Sequence, residues 1–176
     1  MKQTIGLLGT LFLLASIACS STPASPTPTT PEHPGWLTYE SSSCGFEFLY
    51  PPEGALQEVD PPHARIDLPI VPGTNLGEKY VLIDVEPARD PCLSWLAEAY
   101  DLAQLPTSEV TIGGTVFLRH EGTDAGVGNR WNWVAYSTAA DCGCISLSFV
   151  LHSTVPEIYP TPPPVFDTAA ESAVFN

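Results

Sequence analysis

Alternating apolar residues run through the second half of the chain, and this pattern limits the fold more than any other feature. In CISLSFVLHS the apolar side chains occupy every second position, the spacing that places them on one face of a β-strand. The preceding segment RWNWVAYST alternates in the same way. In SEVTIGGTVFLRH, Gly113-Gly114 separates two such runs, and two glycines there predict a tight antiparallel hairpin. The pattern predicts an antiparallel meander.

The first half of the folded region also favours strands. GFEFLYP places Phe46, Phe48 and Tyr50 on one face, and WLTYESSSCGFEF resembles a hairpin with a serine-rich turn. ARIDLPI predicts a strand at an edge or near its end, because Pro69 cannot donate to a β-ladder. EKYVLIDVEP is apolar on both faces, which predicts a central strand covered on two sides.

Two segments favour helices. DPCLSWLAEAYDLAQL begins with Asp90 as a candidate N-cap and Pro91 at the first helical position. DTAAESAVFN follows at the end of the chain, with Asp167 or Thr168 as its cap. This last helix is short and has no glycine after it, which leaves open that the natural domain continues beyond Asn176. Together, the elements predict an α+β fold: an antiparallel β-sheet with two helices packed on it.

The cysteines favour an oxidising compartment. Besides Cys19 the chain has four, Cys44, Cys92, Cys142 and Cys144, and an even number predicts two disulfides. Joining Cys142 to Cys144 across one glycine would make a strained ring. We therefore favour Cys92 with Cys144 and Cys44 with Cys142. The alternative is a zinc site using Cys92, Cys142, Cys144 and His120 or His152, although C-x-C is not the usual zinc spacing.

Acidic residues dominate the charge of the chain. The formal net charge is −14, from 6 lysines and arginines against 20 aspartates and glutamates. A nucleic acid partner is therefore not expected, because phosphates require neutralising Lys and Arg side chains. Electrostatic adhesion to anionic lipid is disfavoured for the same reason. Residues 36–176 are long enough for one globular domain with its own core.

The N-terminus has the features of a bacterial export signal. Lys2 precedes an almost uncharged stretch, Thr4 to Ala18, which is too short to span a bilayer and fits a signal peptide over residues 1–18. Small Ala18 stands directly before Cys19, with Leu13 and Leu14 upstream. This arrangement resembles the lipobox of bacterial lipoproteins, although Ser16 stands where that family usually has leucine. The resemblance implies cleavage before Cys19 and lipidation of its sulfur. The alternative is an ordinary secreted protein with Cys19 as a spare thiol.

The segment after Cys19 fits a tether. Ser20–Gly35 consists almost entirely of serine, threonine and proline, and such a composition does not form a packed core. An extended polyproline II chain of this length reaches about 50 Å. Residues 19–35 are therefore predicted to hold the domain in the cell envelope, outside the cytoplasm and attached to a membrane through the lipid on Cys19.

One motif of the domain resembles a known family. GFEFLYPPEG is similar to an early strand and turn of the PsbP-like α/β sandwich, and the order of the elements agrees with that fold. The resemblance implies a binding or assembly protein without catalytic activity, since most members of that family are of this kind.

No catalytic or cofactor motif is present in the sequence. His63 lies in a proline turn, while His120 and His152 end predicted strands. A catalytic histidine needs a nucleophile and an orienting acid, and the sequence identifies neither. We therefore expect a binding or assembly module without cofactor or metal, whose partner is an unknown protein or small molecule. The alternative is an envelope hydrolase whose site assembles from scattered residues.

The candidate binding surface surrounds HEGTDAGVGNR (residues 120–130), which we interpret as a long glycine-rich loop. Glu121 and Asp124 lie within it, and Trp131 and Trp133 follow on one face of the next strand. Exposed aromatic side chains beside such a loop suit recognition. Calcium binding by Glu121, Asp124 and Asn129 is an alternative, but the spacing is not that of an EF-hand.

Overall fold

The computed structural model describes residues 33–60, 63–100 and 105–173. The predicted signal peptide, Cys19 and most of the tether lie outside these ranges. The described residues belong to one compact unit that begins at His33. Within them, no helix is long and apolar enough to cross a lipid bilayer.

β-Strands make up most of the described chain. A short 3-10 helix follows the last strand, and two α-helices of four and five residues complete the fold. The elements are β1 Leu37–Ser41, β2 Phe46–Tyr50, β3 Ala55–Asp60, β4 His63–Asp67, β5 Leu76–Glu86, α1 Trp95–Glu98, β6 Thr107–Ile112, β7 Thr115–Gly126, β8 Asn129–Ala140, β9 Gly143–Thr154, the 3-10 helix Pro156–Ile158 and α2 Thr168–Ser172.

All strand pairs are antiparallel. β1 and β2 form a separate hairpin, and the other seven strands form one sheet in the order β3-β4-β5-β9-β8-β7-β6. The predicted antiparallel sheet is confirmed, including the interior position of β5, but the helices are so short that the fold is dominated by the sheet. The sequence patterns did not predict β3.

The Gly113-Gly114 hairpin is confirmed, and both glycines have positive φ, at 58° and 85°. By contrast, the predicted loop over residues 120–130 is wrong. β7 continues to Gly126 and β8 starts at Asn129, so only Val127 and Gly128 form the turn. Both have positive φ, the backbone geometry of a tight hairpin. The glycines upstream of this turn sit inside a paired strand.

Each face of the seven-stranded sheet has its own cover. On one face, the hairpin face, Ile66, Val81 and Ile83 pack against Tyr39 and Tyr50 of the β1–β2 hairpin. On the other face, the helix face, the buried cluster contains Tyr80, Trp133, Ala135 and Val150, together with Ala97 of α1. The two covers therefore create two separate apolar clusters on opposite sides of one sheet.

Two disulfides connect these two covers to the same part of the sheet, the turn between β8 and β9 and the start of β9. Cys44, in the turn of the β1–β2 hairpin, is bonded to Cys142, and Cys92, just before α1, is bonded to Cys144. The predicted disulfides are confirmed, in the pairing that the sequence favoured. Gly143 stands between the two cysteines, where a Cβ would lie 2.6 Å from the Glu86 carbonyl oxygen. The alternative zinc site is therefore wrong, because all its cysteines are in disulfides.

The first helix differs from its prediction. Its N-cap is Ser94, whose hydroxyl accepts a hydrogen bond from the Ala97 amide at 3.3 Å, so the predicted cap at Asp90 is wrong. The residues before Ser94 are held elsewhere: Cys92 is in a disulfide, and its carbonyl accepts a hydrogen bond from Ser137. The helix starts only after this attachment. Residues 101–104 of the predicted helix lie outside the described ranges.

Of the two predicted caps of the second helix, Asp167 and Thr168, the structure uses Asp167. The Asp167 carboxylate accepts hydrogen bonds from the amides of Ala169 and Ala170 at 2.9 and 3.1 Å. Glu171 of the same helix forms a buried ion pair with Lys79 of β5, with 2.6 Å between Oε2 and Nζ. Glu171 Oε1 also accepts a hydrogen bond from the Val71 amide at 3.1 Å. These contacts hold α2 on the hairpin face.

Candidate functional site

The hairpin face is only partly covered, for a geometric reason. β7, β8 and β9 each have twelve residues, which corresponds to about 40 Å at the rise of a β-strand. β1 and β2 have five residues each, or about 17 Å. A cover of this size cannot extend along the whole of the longer strands. A groove therefore remains on the hairpin face, between β1–β2, α2 and the β6–β7 edge.

One end of the groove is an apolar chamber of about 350 Å³. It lies between the hairpin and the central strands, and exposed His33 stacks on Trp36 at its rim with 4.3 Å between the ring centroids. Aromatic rings form much of its wall. The side chains that line it include Trp36, Phe48, Tyr50, Ile112 and Leu147.

The other end, which we call the polar chamber, has a volume of about 650 Å³ and carries several polar side chains, although most of its lining is apolar. Its apolar lining includes Leu105, Pro106, Trp133, Val134 and Leu151. The polar residues come from β7, β8 and α2: Arg119, Glu121, Thr123, Asn132, Thr168 and Ser172. The groove therefore has two chemically different ends.

Tyr136 and Phe149 line both chambers. Their rings meet edge to face, with centroids 5.8 Å apart. Both residues project from neighbouring strands, β8 and β9, in the middle of the hairpin face. The chambers are thus two parts of one groove that runs along these strands.

The charges in the polar chamber compensate each other. Arg119 donates to Glu121 with 2.6 Å between Nη2 and Oε2. Burial lowers the pKa of the Arg119 guanidinium, but hydrogen bonds to Glu121 and Tyr136 outweigh this effect, so its pKa lies above the ordinary value. Beside this pair, the Thr123 hydroxyl donates to the Asn132 side-chain oxygen at 2.9 Å. The described side chains of this chamber therefore offer hydrogen-bonding groups, and their charges cancel.

The four predicted binding residues are divided between the two faces. Glu121 points to the groove, as described above. Trp131, Trp133 and Asp124 lie on the helix face, where the two tryptophans share one side of β8 as expected. Trp133 also borders the polar chamber, beside Gly122. Trp133 is only 3% exposed and packs against Tyr100, with 5.6 Å between ring centroids.

Trp131 and Asp124 also have local partners. Trp131 stacks in parallel on His152 with centroids 4.7 Å apart, and Asp124 Oδ1 accepts a hydrogen bond from the Ala125 amide. His152 uses both ring nitrogens, contacting Glu78 at 2.8 Å and Asn129 at 3.0 Å. That contact with His152 is the main cause of the lowered pKa of the Glu78 carboxyl, which Arg65 lowers further.

His120 lies in the interior of the helix face. It is 2% exposed, and burial lowers the pKa of its imidazole. Its Nδ1, the Trp133 Nε1 and the Ser146 hydroxyl have no hydrogen-bond partner. Among the described residues, no hydrogen bond joins a histidine to a serine or threonine hydroxyl. The structure therefore brings no nucleophile to His120 or His152 within these ranges.

A second polar cluster lies on the helix face where β4 and β5 pair, away from His120. His63 contacts Asp84 through Nδ1, and Glu86 lies 4.0 Å from its Nε2. These three residues have the donor atoms of a metal site. However, the Arg89 guanidinium lies 3.8 Å from Asp84 and 3.7 Å from Glu86. A positive charge is thus already beside both carboxylates, and we assign no metal there.

Known proteins give no further guidance on the function. The chain matches no protein-family model and no curated protein sequence. The function is therefore inferred from the groove and its chemistry. The resemblances to bacterial lipoproteins and to the PsbP-like sandwich stay predictions.

The groove was missed because its floor has the sequence pattern of a core. Leu147, Phe149 and Leu151 alternate as expected for buried residues, and Val134 and Tyr136 do the same on β8. A usable signal was present in the lengths of the segments. The strands predicted for the N-terminal hairpin are shorter than RWNWVAYST and CISLSFVLHS, the last two predicted strands of the meander, so a single hairpin could not cover all of this apolar face.

Proposed function

We propose that this protein is a lipid-anchored binding module of the bacterial cell envelope that holds a ligand with a large apolar part and catalyses no reaction. The anchor is the lipid on Cys19, and the ligand site is the groove on the hairpin face. The observation that carries the proposal is the groove itself, an opening lined by Trp36, Phe48, Tyr50 and Tyr136.

The position of the groove supports this proposal. Ligand sites are concave, mostly apolar and supplied with a few polar groups that orient the ligand, and the two chambers have these properties. The chain enters the described domain at His33, beside the apolar chamber. A tether that leads from Cys19 to His33 would connect the membrane to the rim of that chamber.

The alternative prediction, an envelope hydrolase, has no comparable support. His152 has acidic and amide partners on its two nitrogens, and His120 is buried on the face opposite to the groove. Neither arrangement supplies the nucleophile and base that hydrolysis requires. We therefore keep binding as the proposed function.

A matched pair of substitutions on the β6–β7 hairpin tests the proposal. Ile112 lines the apolar chamber and is 49% exposed, whereas Val116 is 55% exposed on the opposite face of the same hairpin. Both are changed to aspartate in the exported full chain carrying Cys19→Ser, which has no thiol for acylation. Binding of the fluorescent apolar probe N-phenyl-1-naphthylamine is then titrated.

Ile112→Asp should weaken probe binding about tenfold, because it places a carboxylate in an apolar chamber. Val116→Asp should leave the affinity unchanged. Equal affinity of both variants and their parent, or no probe binding by the parent, would show that the apolar chamber is not a ligand site.

A further inference from the structure

We propose that the ligand is a single-chain amphiphile with an uncharged, hydroxyl-bearing head, which places its aliphatic chain in the apolar chamber and its head in the polar chamber. This inference rests on the proposed function and adds the chemistry of the ligand. It follows from the different linings of the two chambers and from their junction at Tyr136 and Phe149.

The apolar chamber suits an aliphatic chain. Apart from exposed His33 at the rim, its described lining residues carry no charge. Rings such as Trp36 and Phe48 offer broad apolar surfaces without polar demands on the ligand. A chain without hydrogen-bonding groups is the occupant that loses least hydration on entering this space.

The polar chamber suits a neutral head. Among the described residues that line it, only Arg119 and Glu121 are charged, and they are paired at 2.6 Å. An anionic head would meet the Glu121 carboxylate and the negative field of a chain with net charge −14. A cationic head would compete with Arg119 for Glu121.

Hydroxyl groups match the hydrogen-bonding atoms that remain after the Arg119–Glu121 and Thr123–Asn132 contacts are made. A hydroxyl both donates and accepts, and the chamber offers groups of both kinds. The Asn132 amide nitrogen can donate, while the second oxygen of Glu121 can accept, and the Thr168 hydroxyl can do either. A polyol or sugar head would satisfy these groups without introducing a charge.

The apolar and polar chambers are connected along the strands, so one molecule can occupy both. Leu151 borders the polar chamber and Leu147 the apolar chamber on the same strand, β9. They are four positions apart, which corresponds to about 13 Å along the strand. Phe149 lies between them and Tyr136 lies opposite Leu147 on β8, so a chain that passes from one chamber to the other would contact both aromatic rings.

Calorimetric titration with amphiphiles of one chain length tests the head group. The exported full chain with Cys19→Ser is titrated below the critical micelle concentration with n-decyl β-maltoside, 1-decanoylglycerol, decyl phosphate and decyltrimethylammonium. At least one of the two neutral amphiphiles should bind about tenfold more tightly than both charged ones. Their comparison distinguishes a sugar head from a glycerol head. In an alkyl maltoside series, each added methylene should tighten binding about fourfold until the chamber is filled.

A charge-neutralising variant sharpens the test. Glu121→Gln leaves Arg119 without its carboxylate partner, so decyl phosphate should bind about tenfold more tightly to this variant than to its parent. Glu109→Gln is the matched control, because Glu109 is exposed on β6 and lines neither chamber. It should leave the affinity for every amphiphile unchanged.

The outcomes separate this inference from the proposed function. Equal binding of neutral and charged amphiphiles by the parent would overturn the inference and leave the apolar groove as a ligand site. Failure of every amphiphile to bind would overturn the inference, and failure of the fluorescent probe to bind as well would overturn the proposed function. If a chain ending at Ala173 binds the amphiphiles and the full chain does not, the last three residues are the occupant and the inference is wrong.

Discussion

The two faces of the seven-stranded sheet use similar residues for different purposes. On the helix face, α1 and its flanking segments close over Trp133 and Val150, and Ala97 is completely buried. On the hairpin face, Tyr136 and Phe149 have a comparable position in the sheet but line a groove. An apolar strand face therefore becomes a core or a binding site according to the extent of its cover.

Side-chain size contributes to this difference. The middle of the helix face carries small residues, including Ala135, Ser137 and Ser148, all of them buried, and a short helix can approach the sheet closely there. Gly122 has a similar effect, because a Cβ at this position would collide with the Trp133 ring. The hairpin face has large aromatic side chains in the corresponding rows, and these hold the walls of the groove apart.

The largest expected effect comes from removing the two disulfides separately. Each closes a long loop, with sequence separations of 98 and 52 residues, and loss of either should lower the free energy of unfolding by about 4 kcal/mol in the chain-entropy model. The two disulfide variants should differ in their affinity for the apolar probe. The variant with Cys44→Ser and Cys142→Ser frees the hairpin that carries Phe48 and Tyr50, so it should bind the apolar probe about tenfold more weakly.

The variant with Cys92→Ser and Cys144→Ser serves as the matched control for this comparison. It loosens the cover of the helix face, and its probe affinity should stay within about threefold of the parent. Urea unfolding and probe titration, both at low temperature and with the fold checked by circular dichroism, measure the two quantities. A greater loss of probe affinity in the Cys92 and Cys144 variant would reverse the assignment of the two faces.

Local patterns along the chain were sufficient to predict the antiparallel meander. Alternation in β8 and β9, Gly113-Gly114 and the cysteine spacing all act over short distances or through strong geometric limits, and each prediction from them agrees with the structure. The prediction failed where longer-range contacts decide the local structure. Asp90 has the pattern of a helix cap, but the disulfide at Cys92 holds that segment and moves the cap to Ser94.

The candidate site was harder to predict for the same reason. Trp131 and Trp133 were correctly placed on one face, but no local pattern shows which face receives the larger cover. Glu121 was selected as part of a loop, whereas the structure makes it the strand partner of Val134 and the ion-pair partner of Arg119. The cover depends on how distant segments pack, and this information is not contained in the periodicity of one strand.

A smaller effect should come from His120, the buried imidazole of the helix face. Because burial lowers its pKa in the folded state, the unfolded chain binds the proton first as the pH falls. Stability should therefore be constant above about pH 6.5 and decrease below it, by at most about 1.4 kcal/mol per pH unit, until the folded-state pKa is reached.

Urea unfolding of the parent and of His120→Gln between about pH 7.5 and 5.5 measures this effect. The variant should have a flatter dependence on pH than the parent, whereas His33→Gln, at the rim of the groove, should behave as the parent does. Identical slopes for the parent and His120→Gln would contradict a buried, neutral imidazole on the helix face.

The most direct test of the different roles of the two faces uses the indole N–H signals of the tryptophans. Trp36 lines the apolar chamber and Trp133 borders the polar chamber, whereas Trp131 stacks on His152 on the helix face. Two-dimensional ¹H–¹⁵N spectra of the exported full chain with Cys19→Ser are recorded during titration with n-decyl β-maltoside. We expect the Trp36 indole signal to shift with ligand concentration while that of Trp131 stays in place. A shift of the Trp131 signal with an unchanged Trp36 signal would place the binding site on the helix face and contradict this account.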